Sequence, residues 1–125
     1  ILANVAQQLG RTLAYDPATG TLSPEAVATS LHVTMSDLCQ ILDVHRNTLA
    51  RMPNAPKVQS RLGDLVRILA EAADLLGGDR AKAKIWLRYQ PIAAFGGQTA
   101  EELIAAGHAK AVIAHLAMLR DGGYA

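Results

Sequence analysis

The chain has 125 residues, 50% of them apolar but only 4% aromatic, and a formal net charge of +1. That length holds one compact domain or two very small ones, and apolar content dominated by alanine, leucine, valine and isoleucine favours helix-on-helix packing over a β-sandwich. A charge so near zero excludes a global field that would by itself draw the protein to nucleic acid. The single cysteine, Cys39, excludes an intrachain disulfide framework and fits a reducing cytosol. No apolar run reaches the roughly 20 residues that span a bilayer. The sequence begins at Ile1 rather than at methionine, which leaves open a longer natural N-terminus or a removed signal peptide.

In chain order the pattern is helical nearly throughout. Leu2, Val5, Leu9 and Leu13 recur at helical spacing before "DPATG" (16–20) breaks the chain. Ser23-Pro24-Glu25 is a helix start: serine caps, proline takes the first helical position and an acid sits in the first turn. A short helix opens at Thr34 to Asp37 and runs to about Leu42, and another follows from about Arg46 to Met52. "PNAP" (53–56) then halts the chain. From Ser60 comes the cleanest stripe, Leu62, Leu65, Val66, Leu69, Ala73 and Leu76, closed by Gly77-Gly78. Asp79 caps a helix through Tyr89, Thr99 and Glu102 have capping-box spacing, and a last helix covers about Ala109 to Arg120. The fold class this predicts is all-α, a small helical bundle.

Residues 35–52, "MSDLCQILDVHRNTLARM", have the pattern of a helix-turn-helix. Leu38, Leu42, Val44, Leu49 and Met52 form its buried faces, and Cys39 is a small residue where two helices approach closely. Asp43 stands at the turn, where the left-handed conformation is required and Asp tolerates it better than most residues. On the second helix Arg46, Asn47 and Arg51 point outward, with Thr48 close by; arginine pairs bidentately with guanine and asparagine with adenine. Lys57 and Arg61 follow, so the run from Arg46 to Arg61 contains no acid. Two readings stand side by side: a DNA-binding face, or two packed helices with a solvated polar surface. With so low a charge one copy binds DNA weakly, so the first reading calls for a dimer.

No catalytic or metal-ligating set emerges. His108 and His115 lie two turns apart without a Cys, Asp or Glu to complete a site. Cys39 has no histidine at a telling distance. Glu101 and Glu102 are first-turn acids favoured by the helix dipole, and Gly77-Gly78 and Gly96-Gly97 are punctuation rather than a phosphate-binding loop. The expectation is a protein that is not an enzyme, with no cofactor and no metal.

The remaining stretch, "WLRYQPIAAFGGQTAEELIAAGHAKAVIAHLAMLRDGGYA" (86–125), holds the only tryptophan and the only phenylalanine. Its Trp, Pro-Ile turn, Phe-Gly-Gly, Thr-Ala-x-Glu-Leu helix start, Gly107 and closing Gly-Gly-Tyr resemble the C-terminal toxin-binding domain of the Xre/MbcA/ParS antitoxins, and the helix-turn-helix upstream is similar to the rest of such proteins. The chain departs from the family pattern at Ala93, Gln98 and His108, where proline, lysine and arginine are common. The resemblance implies an N-terminal helical region (1–58) with the helix-turn-helix at 35–52, a connecting helix (59–78) and a toxin-binding subdomain (79–125). It also implies a partner, a RES-domain toxin that consumes NAD⁺ or uses it to ADP-ribosylate a target, which the antitoxin neutralises by covering the NAD pocket. Toxin contacts then fall at Gln98, His108, Arg120, Asp121, Gly122, Gly123 and Tyr124. Operator DNA, a homodimer or larger hetero-oligomer with the toxin, no membrane and a cytoplasmic location complete the expectation.

From the residues themselves, Gly122-Gly123 lets the chain leave the last helix sharply and Tyr124 offers an amphipathic contact. Trp86 packs the subdomain core, and Phe95 plugs back into it. Two other classes remain, a helix-turn-helix repressor without a toxin and a helical scaffold that binds neither.

Overall fold

The structure is a computed structural model in which residues 20–122 are described; the helical pattern of residues 2–14 lies outside them. Seven α-helices run through these residues: α1 (Pro24–Leu31), α2 (Met35–Leu42), α3 (Arg46–Arg51), α4 (Pro56–Leu75), α5 (Arg80–Tyr89), α6 (Ala100–Ala105) and α7 (Ala109–Arg120). Among the described residues no strand forms, and the fold is all-α as predicted. Backbone contacts divide the chain into two units, Ile1–Val66 and Arg67–Ala125, with the division inside α4.

The first unit is built from α1, α2, α3 and the start of α4. Each short helix is held at its ends by side chains. Ser23 accepts a hydrogen bond from the Ala26 N–H with Pro24 in the first turn, and Thr34 and Asp37 form a reciprocal capping box. Both α1 and α2 stop at a non-glycine residue in the left-handed conformation, His32 (φ 57°) and Asp43 (φ 52°). Val27, Leu38, Leu42, Leu49, Val58 and Leu62 meet in the interior with essentially no exposure. Gln59 on α4 ties the stretch before α1 to the turn before α4. Its Oε1 accepts from the Leu22 N–H at 2.8 Å, while its Nε2 donates to the carbonyls of Leu22 and Pro53 at 2.9 and 2.8 Å.

Two boundaries differ from expectation. Helix α4 begins at Pro56 rather than near Ser60. Proline is disruptive inside a helix, but its missing N–H costs nothing in the first turn, so the "PNAP" break also starts the next helix. Met52, expected on a buried face, is 55% exposed. It follows the last residue of α3 with φ −130° and ψ 58°, so the backbone has already left the helix and carries the side chain off the buried stripe.

The second unit takes the end of α4 with α5, α6 and α7. Ile68, Ala83, Leu87, Leu103, Val112 and Leu116 form its interior. Asp79 caps α5, and a Thr99–Glu102 capping box opens α6, both at the positions predicted. Between them the chain turns back on itself. The Ile92 N–H donates to the Gln98 carbonyl at 2.9 Å, and a single 3₁₀ turn, Ala93–Phe95, fills the loop. Gly96 and Gly97 take φ of 68° and 83° in succession, a geometry that L side chains rarely adopt, which is why two glycines stand there.

The aromatics of this loop are less deeply placed than the sequence suggested. Trp86 is half-buried, and the core position on α5 belongs to its neighbour Leu87, which is fully buried. Phe95 is also half-buried and meets the His115 ring edge-on, with centroids 5.5 Å apart, rather than entering the core. Arg88 on α5 pairs with Glu101 on α6 at 3.1 Å, and Glu71 on α4 accepts from Arg67 at 3.3 Å and faces Arg120 on α7 at 3.7 Å.

Candidate functional site

Two surfaces carry the residues singled out from the sequence, one in each unit. In the first, α2 and α3 flank a three-residue turn, Asp43 to His45. The Val44 N–H donates back to the Cys39 carbonyl at 3.0 Å, and Asp43 supplies the left-handed residue that reverses the chain. His45 caps α3, its Nδ1 accepting from the Asn47 N–H at 3.2 Å, a role the sequence reading missed because histidine is an uncommon cap. Leu49 anchors α3 inward. Arg46, Asn47 and Arg51 are exposed on α3 and Thr48 is half-buried. A groove lined by Ser36, Gln40, Asp43, Arg46, Asn47 and Ala50 runs between the two helices.

Lys57 is exposed at the start of α4. Arg61 is placed differently. Its guanidinium donates to the Leu42 carbonyl at 2.6 Å, lies 3.8 Å from the Asp43 carboxylate, and is less than one-third exposed. It thereby satisfies a carbonyl at the end of α2, where no intrahelical N–H remains to do so. Substituting Arg61 by alanine is expected to cost about 1–2 kcal/mol of stability, because it leaves a part-buried carbonyl without its charged donor. Lys57→Ala should leave stability unchanged. Denaturant unfolding of both variants checks this, and equal midpoints for the two would show that Arg61 does not hold the turn.

In the second unit the residues read as toxin contacts are spread along the elements. Gln98 is exposed just before α6, its backbone closing the 92–98 loop. His108 is exposed at the α6–α7 corner, where its N–H donates to the Leu103 carbonyl at 2.8 Å after Gly107 turns left-handed (φ 88°). Arg120, Asp121 and Gly122 are exposed at the far end of α7. At 1.5 Å per residue that helix is about 18 Å long, so His108 and Arg120 stand at opposite ends of it. A partner that touches both must lie along the helix. Gly123 and Tyr124 lie outside the described residues.

Sequence reasoning passed over an apolar surface on the same unit. Ile85 and Tyr89 on α5 are 60% and 67% exposed, and Met118 on α7 is 43% exposed. The signal was present as a second stripe on α5, Lys82, Ile85, Trp86 and Tyr89 at i, i+3, i+4 and i+7. It was masked by the assumption that Trp86 faces the core.

Among the described residues no group of three His, Cys, Asp or Glu side chains could hold a metal ion, and no helix is long and apolar enough to cross a membrane. Residues 71–122 match the family described as the antitoxin Xre/MbcA/ParS C-terminal toxin-binding domain. The match takes in α5, α6, α7 and the end of α4, and so bears out the resemblance read from Trp86 onward while extending it upstream to Glu71. No similar curated protein and no similar solved structure is found for the chain.

Proposed function

We propose, from the premise that residues 71–122 are an Xre/MbcA/ParS antitoxin toxin-binding domain, that this antitoxin neutralises a RES-domain toxin by covering its NAD pocket. The family match is the observation that carries the reading. In this reading the C-terminal unit is the toxin-binding subdomain, with Gln98, His108 and the Arg120–Tyr124 end as contacts. The helix-turn-helix autoregulates the operon, with Arg46, Asn47, Thr48 and Arg51 toward base edges and Lys57 toward phosphate. Arg61 supports that surface from beside the turn. The antitoxin acts in the cytoplasm, as a homodimer or as a larger assembly with its toxin.

Rescue of growth tests it. Expressed alone, the toxin encoded beside this chain is expected to deplete NAD⁺ or modify a target and arrest growth, and co-expression of the antitoxin should restore growth. Deleting residues 122–125 should leave a helical, folded protein that rescues poorly. The deleted segment follows the last residue of α7 and its cap, Asp121. Full rescue by the truncated chain would remove the tail from the mechanism while leaving the toxin-binding reading in place.

A further inference from the structure

The exposed large apolar side chains are unevenly distributed. Of the five among the described residues, Leu75, Ile85, Tyr89 and Met118 lie within residues 71–122, and only Met52 lies outside them. Leaving such groups in water forgoes the stabilisation that burying a large apolar side chain supplies. Single exposed apolar residues are ordinary, but a contiguous set is a mark of a contact surface.

On α5 the set is contiguous. Ala83 and Leu87 take the inward face, 1% and 0% exposed. Ile85, Trp86 and Tyr89 occupy a second face, and with Lys82 they line a depression of about 310 Å³ together with Leu76 and Gln90. A second depression of about 630 Å³ continues from Trp86 and Gln90 across Pro91, Ala93, Ala94 and Leu119. Trp86 and Gln90 are common to both. The ring is therefore half-buried because it forms the floor of a groove, with one side on the protein and the other toward solvent.

We infer that this groove, with Ile85, Trp86 and Tyr89 as its anchors, is where the antitoxin receives an apolar projection of its toxin. The inference rests on the toxin-binding reading and assigns to it a surface that Gln98, His108 and the C-terminal end do not include. Position selects the occupant: every residue that lines the two depressions lies within the matched toxin-binding segment, residues 71–122. Of the cations on α5 only Lys82 stands at the edge of the groove, and Arg88 is already paired with Glu101. A carboxylate beside the partner's projection would pair with Lys82. A second copy of this chain docked through the same face is the competing occupant, which the mass of the free antitoxin tests. Aromatic side chains in desolvated pockets supply most of the binding energy at such surfaces.

The test measures affinity of the full antitoxin for the toxin encoded beside it, together with the mass of the free antitoxin in solution. Wild type is expected to bind. Ile85→Glu should lower the affinity about 100-fold and Tyr89→Ala about 10- to 100-fold. Lys82→Glu should lower it about tenfold, mainly through the association rate, and flatten its salt dependence. Both apolar positions are more than half exposed, so the thermal midpoint of the free protein should not move. Wild-type affinity in Ile85→Glu and Tyr89→Ala, with toxin binding otherwise intact, would overturn the groove and leave the toxin-binding reading standing. A change in the mass of the free antitoxin without a loss of toxin affinity would overturn it in favour of an interface between copies. Failure of the wild-type protein to bind would overturn the reading beneath it.

Discussion

Replacing Leu87 by alanine is expected to cost about 2–5 kcal/mol, and replacing the much larger Trp86 beside it only about 2 kcal/mol. Residue size alone gives the opposite order, and burial reverses it. Leu87 is 0% exposed, so its truncation leaves a closed void whose lining loses its contacts. Trp86 opens onto the groove on one side, so water takes the space its ring vacates and no closed cavity forms. A loss at Leu87 is a large share of the stability expected for a chain this small. Trp86 is the only tryptophan, so its fluorescence reports unfolding of the C-terminal unit in Leu87→Ala, and far-UV circular dichroism serves for Trp86→Ala. Greater destabilisation by Trp86→Ala would return the ring to the core and remove the groove's floor.

The same pair of residues marks the limit of what the sequence disclosed. Helix starts were legible wherever local chemistry sets them. Ser23-Pro24, Asp79 and the Thr99–Glu102 pair cap their helices as read, because a cap is a contact between residues two or three apart and needs no tertiary information. Asp43 was legible for the same reason, since its left-handed φ follows from a turn too short for anything else. Which stripe of a helix faces inward is a tertiary property. Helix α5 offers two apolar stripes, and the sequence gives no reason to prefer the small pair Ala83 and Leu87 over Ile85, Trp86 and Tyr89. Met52 failed differently, because periodicity was extended one residue past the point where the backbone leaves the helix. Of the candidate sites, the helix-turn-helix was visible in its turn and in its outward polar residues. The engagement of Arg61 with the Leu42 carbonyl was not visible, since nineteen positions separate the two and nothing local links them.

That engagement sharpens what is expected on DNA. Leu49 points inward from α3, and at 100° per residue Asn47 and Arg51 lie nearly opposite it, one turn apart, while Arg46 stands nearer Leu49, exposed at the first position of the helix. Arg51 and Asn47 then share one outward face, an arrangement suited to a guanine beside an adenine. Alanine at Arg51 or Arg46 should weaken binding to the operator by about 1–3 kcal/mol and relax the preference at one base position. Lys57→Ala should weaken all sequences alike and reduce the salt slope by about one unit. Arg61→Ala should act through the fold, lowering stability and affinity together. With only six residues α3 is about 9 Å long, so one copy reads two or three base pairs and specificity requires two half-sites about 34 Å apart. Mobility shifts on the upstream region at two salt concentrations, with the protein alone and with its complex with the proposed toxin, decide the matter. Binding no tighter than to random DNA in both forms would leave α2 and α3 as a folding unit whose polar face is only solvated.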